Sequence, residues 1–278
     1  MIPDQQFLSQ EQVATTVLAL ADDEQAKILN GKIIPGDRVF YPVKPHVASS
    51  IPKIVKNNLD GKKIVIVRES KSDAAYLAPP SALESMIKEK GGDVGYYDSS
   101  SATPQDADLF IFRTGDYDFT IDQRTERANL TDKHRFEWDD LIEQFIFNPA
   151  WHIQNAINAI VPGGSDDPRK FKYVKGRIVI IGPHLPRPRE KLHKDKRFTQ
   201  LARAKVEVFR GALRPFVTTV NQELSDVLKS NIRVFLILPG SIDGKEPSRE
   251  NLVNTINYLM SDEAASSSEV IFCPDETR

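Results

Sequence analysis

Several short runs in this chain of 278 residues are apolar almost from end to end. They are Lys63–Val67 (KIVIV), Leu109–Phe112 (LFIF), Arg177–Ile181 (RIVII) and Arg233–Leu238 (RVFLIL). A strand with one wet face alternates polar and apolar residues, whereas a strand buried on both faces does not. Between these runs the apolar residues take up helical spacing, over 79–90, 137–160 and 202–229. The first of these helices has proline at its start and closes on Gly91-Gly92. Asp93–Tyr97 adds another strand, and a helix capped by Ser248 leads to a last one, Val270-Ile271-Phe272. Buried strands alternating with helices imply a parallel sheet covered on both faces. The expected fold class is α/β, a Rossmann-type doubly wound parallel sheet.

Composition narrows the function. The net charge of -2 gives no electrostatic reason for a nucleic-acid or membrane partner. The single cysteine, Cys273, excludes an internal disulfide and a cysteine-based zinc site, and a reducing compartment is the default. The first residues, MIPDQQFLSQEQ, show no basic stretch followed by an apolar run. The expectation is a cytoplasmic chain.

One segment occurs twice. Residues 9–26 (SQEQVATTVLALADDEQA) match residues 248–265 (SRENLVNTINYLMSDEAA) at Ser9/Ser248, Glu11/Glu250, Thr16/Thr255, Leu20/Leu259, Asp23/Asp262, Glu24/Glu263 and Ala26/Ala265. Each copy is a capped amphipathic helix followed by an apolar strand, Lys32-Ile33-Ile34 in the first. A helix and one strand cannot bury a core alone. Three parts are therefore expected: 1–42, a helix-strand piece that repeats a domain terminus; 43–59, a linker with Pro45 and Pro52; and 60–278, the main domain.

The main domain resembles the short-chain dehydrogenase/reductase family. Gly211–Leu224 (GALRPFVTTVNQEL) is similar to the family's central helix, Asn231–Gly240 (NIRVFLILPG) to the strand before its proline-glycine turn, and Gly176–Ile181 (GRIVII) to the strand that carries the catalytic serine. The resemblance implies four functional elements, none of which this sequence supplies. The dinucleotide loop reads Arg68-Glu69-Ser70-Lys71-Ser72-Asp73-Ala74-Ala75, with no glycine to let the backbone approach a pyrophosphate. Arg68 and Lys71 could contact an anion. The family's Asn-Asn-Ala-Gly segment falls on Phe112, Arg113, Thr114 and Gly115. The serine position falls on Gly182 or Pro183. The Tyr-x-x-x-Lys pair, in which lysine prepares tyrosine for proton transfer, falls on Val206 and Arg210. Lys205 has Leu201 four residues before it. No tyrosine lies between Tyr173 and Tyr258, so no shift of alignment restores the pair. Asn148 sits near the family's helix asparagine and reads as an ordinary helix residue beside Pro149.

Other candidates are weaker. Residues 187–197 (RPREKLHKDKR) read as a solvated insertion or as a phosphate-binding loop of the kind that could take coenzyme A. The histidines, His46, His134, His152, His184 and His193, lack metal-ligand spacing, and no metal site is expected. His152 and Cys273 read as buried structural residues, and residues 113–137 as a polar surface stretch. No catalytic, cofactor-binding or metal residues are therefore assigned, and no cofactor is expected on this chain.

A reductase-like fold without its chemistry suggests a partner to an active copy. The order, the tail of one reductase domain followed by a degenerate second one, resembles the N-terminal half of bacterial bifunctional malonyl-CoA reductases. The resemblance implies a non-catalytic lobe supporting an active NADPH-dependent reductase that acts on an acyl-CoA or aldehyde. It also implies an oligomer built through residues 137–160 and 202–229. The alternatives are an enzyme of altered chemistry on this fold, or a small-molecule sensor using the vacated cofactor cleft.

Overall fold

The computed structural model describes residues 56–68, 80–98, 107–115, 139–161, 167–172, 174–184, 196–240, 248–266 and 270–274. The chain divides into two units, Met1–Val47 and Ala48–Arg278, and every described residue belongs to the second. The repeated segment expected in 1–42 and most of the linker expected in 43–59 lie outside the described residues.

Six parallel strands form one sheet. In chain order they are β1 (Lys63–Arg68), β2 (Asp93–Asp98), β3 (Leu109–Arg113), β4 (Lys175–Ile181), β5 (Asn231–Ile237) and β6 (Ile271–Phe272). The spatial order is β2-β1-β3-β4-β5-β6, so the chain winds outward from β1 in one direction and from β3 in the other. Every residue of β3 is buried, as are the last four of β4 and of β5. This burial on both faces is the physical reason that those runs carry no polar alternation. The fold is the expected doubly wound, Rossmann-like α/β sheet.

The helices are α1 (Pro80–Glu89), α2 (Asn148–Ile160), α3 (Lys196–Gln222), α4 (Arg249–Leu259) and the short α5 (Asp262–Ser266). α1 packs beside α4. A π-helical turn, Glu143–Phe147, precedes α2 and packs on α3; another, Glu223–Val227, continues α3. The expected helices 137–160 and 202–229 are thus each interrupted by a π-turn, which shifts the facing of residues across it by one position. Ser248 caps α4 as expected, its Oγ accepting from the Asn251 N–H at 3.2 Å. Residues 56–59, expected to end the linker, are part of the main unit. Asn58 N–H donates to Asn257 Oδ1 at 2.7 Å, Asn257 Nδ2 donates to Lys56 O at 3.0 Å, and Leu59 is fully buried. Among the described residues no helix is long and apolar enough to cross a membrane.

β6 is too short to pair with all of β5. It accepts from or donates to β5 only near Leu236 and Ile237, leaving the backbone groups of Ile232 and Val234 to find other partners. Asn221 of α3 supplies them. Its Oδ1 accepts from Val234 N–H at 3.0 Å, and its Nδ2 donates to Val234 O at 2.7 Å. Ser230 Oγ accepts from Ile232 N–H at 3.0 Å. An amide side chain therefore stands in for a missing strand, as buried backbone polar groups require. Asn221→Leu leaves both Val234 groups buried and unpaired, and is expected to cost about 2–4 kcal/mol in urea unfolding.

Candidate functional site

In an open α/β sheet the ligand crevice lies outside the carboxyl ends of the strands, where the winding reverses. Here that point is between β1 and β3. The edge is formed by Arg68 at the end of β1, Asp98 at the end of β2, and Arg113-Thr114-Gly115 after β3. Gly182-Pro183-His184 after β4 and Leu238-Pro239-Gly240 after β5 continue it. Pairing runs one residue past the strand ends: Thr114 N–H donates to Ile181 O at 3.0 Å, and Gly182 N–H to Ile237 O at 2.9 Å. Gly115 has a φ of 74°, a left-handed turn that glycine takes without strain.

Arg210 dominates the part of this edge beyond β4 and β5. Its side chain is 1% exposed, and it is the largest fully buried side chain among the described residues. One guanidinium nitrogen, Nη1, donates to Pro183 O at 2.9 Å and to Pro239 O at 2.5 Å. Both acceptors are carbonyls just past the ends of β4 and β5. Glu207, on the next turn outward, lies 3.9 Å from Arg210 Nε and is half exposed, so its pairing is screened. The position that aligns with the family's lysine thus holds a cation that binds backbone and joins two loops.

The other aligned positions are filled as well. Val206, at the tyrosine position, is 1% exposed in a small apolar cluster with Leu141, Phe145 and Phe209. The Phe145 and Phe209 rings lie 5.0 Å apart. Gly182, at the serine position, is buried against apolar side chains: a Cβ there would stand 2.8 Å from Leu238 Cδ2 and 3.4 Å from Leu213 Cδ1, so the Leu238 tip would have to shift. Lys205, beside Val206, is buried. Arg113 and Thr114 are buried where the family's segment would open to its cofactor.

Asn148, read from the sequence as an ordinary helix residue, opens α2, and Gln144 reaches the edge. Gln144 Nε2 donates to Thr114 O at 2.8 Å. The π-turn that contains Gln144 is the reason: it changes which residues face the sheet, and apolar periodicity alone does not reveal it. Asp98 was also missed. It ends β2, in register with Arg68, at the place where dinucleotide folds often carry an acid for the adenosine ribose. His152 is buried as expected, its ring 4.3 Å from Phe112 and edge-on to Tyr97 and Trp151. Cys273 is buried. The loop 69–79, the basic stretch up to Asp195, residues 116–138, and His46, His134 and His193 lie outside the described residues. Among the described residues no group of three or more His, Cys, Asp or Glu is placed to hold a metal ion.

No protein-family model matches this chain, and no curated protein matches it. Solved structures with similar outlines include an NADH-dependent reductase, A1-R', complexed with NAD, at 14% identity and a TM-score of 0.42, covering 78% of this chain and 96% of that one. A putative short chain dehydrogenase from Escherichia coli CFT073 aligns at 13% identity and a TM-score of 0.43, covering 79% and 98%. A short chain dehydrogenase from Mycobacterium smegmatis aligns at 13% identity and 0.43, covering 81% and 95%. The class of the protein is defined by its own sheet: a Rossmann-like α/β domain.

Two substitutions test the filled edge. Arg210→Met removes the donor to two buried carbonyls and is expected to cost about 2–4 kcal/mol of stability by denaturant unfolding. Gly182→Ser forces an oxygen-bearing side chain against Leu238 and is expected to cost about 1–3 kcal/mol. Wild-type stability in either variant would show that the edge is looser than its contacts imply.

Proposed function

We propose that this chain is a non-catalytic, short-chain-reductase-like lobe that supports an active NADPH-dependent reductase, in acyl-CoA or aldehyde reduction. The observation that carries the reading is Arg210. A guanidinium bound to the Pro183 and Pro239 carbonyls holds the lysine position in a structural role. Val206 in an apolar cluster and Gly182, which has no hydroxyl and lies against Leu238, support the same reading. General acid-base chemistry needs a titrating group within hydrogen-bond reach of substrate, and neither Val206 nor Gly182 can offer one.

The partner half of the proposal draws on the outer face of α2 and α3. Phe147 and Trp151, one turn apart, are 59% and 42% exposed, and Val208 and Val227 are exposed on the other helix and its π-turn. Between the helices runs a groove of about 480 Å³ lined by Ile153, Ile157, Phe216, Val220 and Leu224 among others. Exposed apolar area of this kind marks association surfaces. It coincides with the two long helices through which the family resemblance implies pairing.

Two measurements test the reading. Isothermal titration of the chain with NADPH is expected to give no binding in the micromolar range; micromolar binding overturns the reading. Co-expression with an active short-chain reductase is expected to give a stable complex, lost in the double variant Phe147→Asp/Trp151→Asp while the melting temperature of the chain stays within a few degrees. A complex that survives the double variant would place the contact elsewhere.

A further inference from the structure

Two arginines stand level near the amino ends of β4 and β5. The strands pair in parallel with Arg177 directly opposite Arg233. Residues in register on neighbouring strands share a face of the sheet, and the strands are about 4.8 Å apart. Arg233 lies on the same face as Phe235, whose ring meets Phe272 edge-on at 6.1 Å, and Phe272 in turn meets Tyr258 of α4 at 6.1 Å. The pair therefore lies on the α4 face, at the other end of the strands from Arg210 and the switch-point crevice. Both side chains are half-buried.

Arg177 is held in place without being neutralised. Its Nη1 donates to Gly176 O at 3.1 Å and to Asn231 O at 3.5 Å, which ties the guanidinium across the starts of both strands. Its Nε is buried and has no hydrogen-bond partner. Nε and Nη2 form one edge of the guanidinium, the fork that grips two oxygens of an oxyanion, and no described residue takes that edge. No carboxylate among the described residues forms an ion pair with either arginine. Burial pushes the Arg177 guanidinium below its usual range, Asp262 at the start of α5 opposes this, and Arg233 adds to it. Like charges directly opposite on adjacent strands destabilise a sheet. A buried donor in a folded protein is ordinarily paired with protein, water or an ion.

We propose that Arg177 and Arg233 form a binding site for a phosphate monoester or free phosphate at the amino ends of β4 and β5. The chemistry favours a tetrahedral dianion over a carboxylate. The Nε–Nη2 fork of Arg177 satisfies both oxygens of a carboxylate, whereas a phosphate has oxygens left for Arg233 and a second charge to offset it. The Nη1 bonds to Gly176 and Asn231 fix the direction in which that fork is offered, so less side-chain freedom is lost on binding. The site goes beyond the supporting-lobe reading and stands without it.

The test is isothermal titration of the whole chain with inorganic phosphate and, separately, with O-phosphoserine in low-salt buffer, with sodium chloride at matched ionic strength as control and acetate in parallel. Saturable binding of at least one phosphate, tighter than acetate, is expected; tighter phosphoserine assigns the site to an ester, tighter inorganic phosphate to the free ion. Arg177→Gln and Arg233→Gln are each expected to weaken binding about tenfold or more, and Arg177→Lys, which keeps the charge and loses the fork, by an intermediate factor. Arg169→Gln, which removes an exposed cation elsewhere, is expected to leave the affinity unchanged. If Arg177→Gln fails to fold, Arg233→Gln decides. Absence of saturable binding of either phosphate, wild-type affinity in Arg233→Gln, or an equal loss in Arg169→Gln overturns the proposal.

Discussion

The carboxyl edge of this sheet depends on one side chain, the Arg210 guanidinium, shared between the Pro183 and Pro239 carbonyls. Parallel strands leave their last carbonyls without neighbours, and at a buried edge each must be paired. In an enzyme this is also where substrate and cofactor need open space. Arg210 meets the first requirement for Pro183 and Pro239. Its several donors allow one residue to serve two loops, which a lysine amine on a single flexible stem does less rigidly. Val206 packs on the turn before Arg210, and Gly182 lies against Leu238, one residue ahead of Pro239.

A similar economy operates on β5. The final strand, Ile271–Phe272, is too short to cover its neighbour, and Asn221 and Ser230 take over for Val234 and Ile232. Asn257 does comparable work at the start of the unit, fastening residues 56–58 to α4. In each case a polar side chain is buried because a backbone group would otherwise be left without a partner. These residues carry structure, and their burial is accounted for without chemistry.

Much of the architecture was legible in the residues. Leu109–Phe112 and Arg177–Ile181 read as doubly buried strands because no polar residue interrupts them, and they lie at the centre of the sheet. The absence of a tyrosine between Tyr173 and Tyr258, and of a glycine in 68–75, required no structure to see. The edge was less legible. Gln144 drew no notice because helical spacing assumes an unbroken α-helix, and the π-turn over Glu143–Phe147 breaks that assumption.

The sequence by itself determined the class of fold and which reactive side chains the chain does not offer, such as a tyrosine between Tyr173 and Tyr258. Both follow from residue type and local pattern: apolar runs demand burial, and a side chain without a titrating group cannot transfer a proton. How the residues at the strand ends are held was decided by tertiary structure. Arg210 in the sequence is only a cation on an amphipathic helix. That it is fully buried and bound to two loops follows from where α3 crosses the ends of β4 and β5, a distance set by packing of the whole sheet. Long-range contacts of this kind depend on how elements meet, and no local periodicity encodes them.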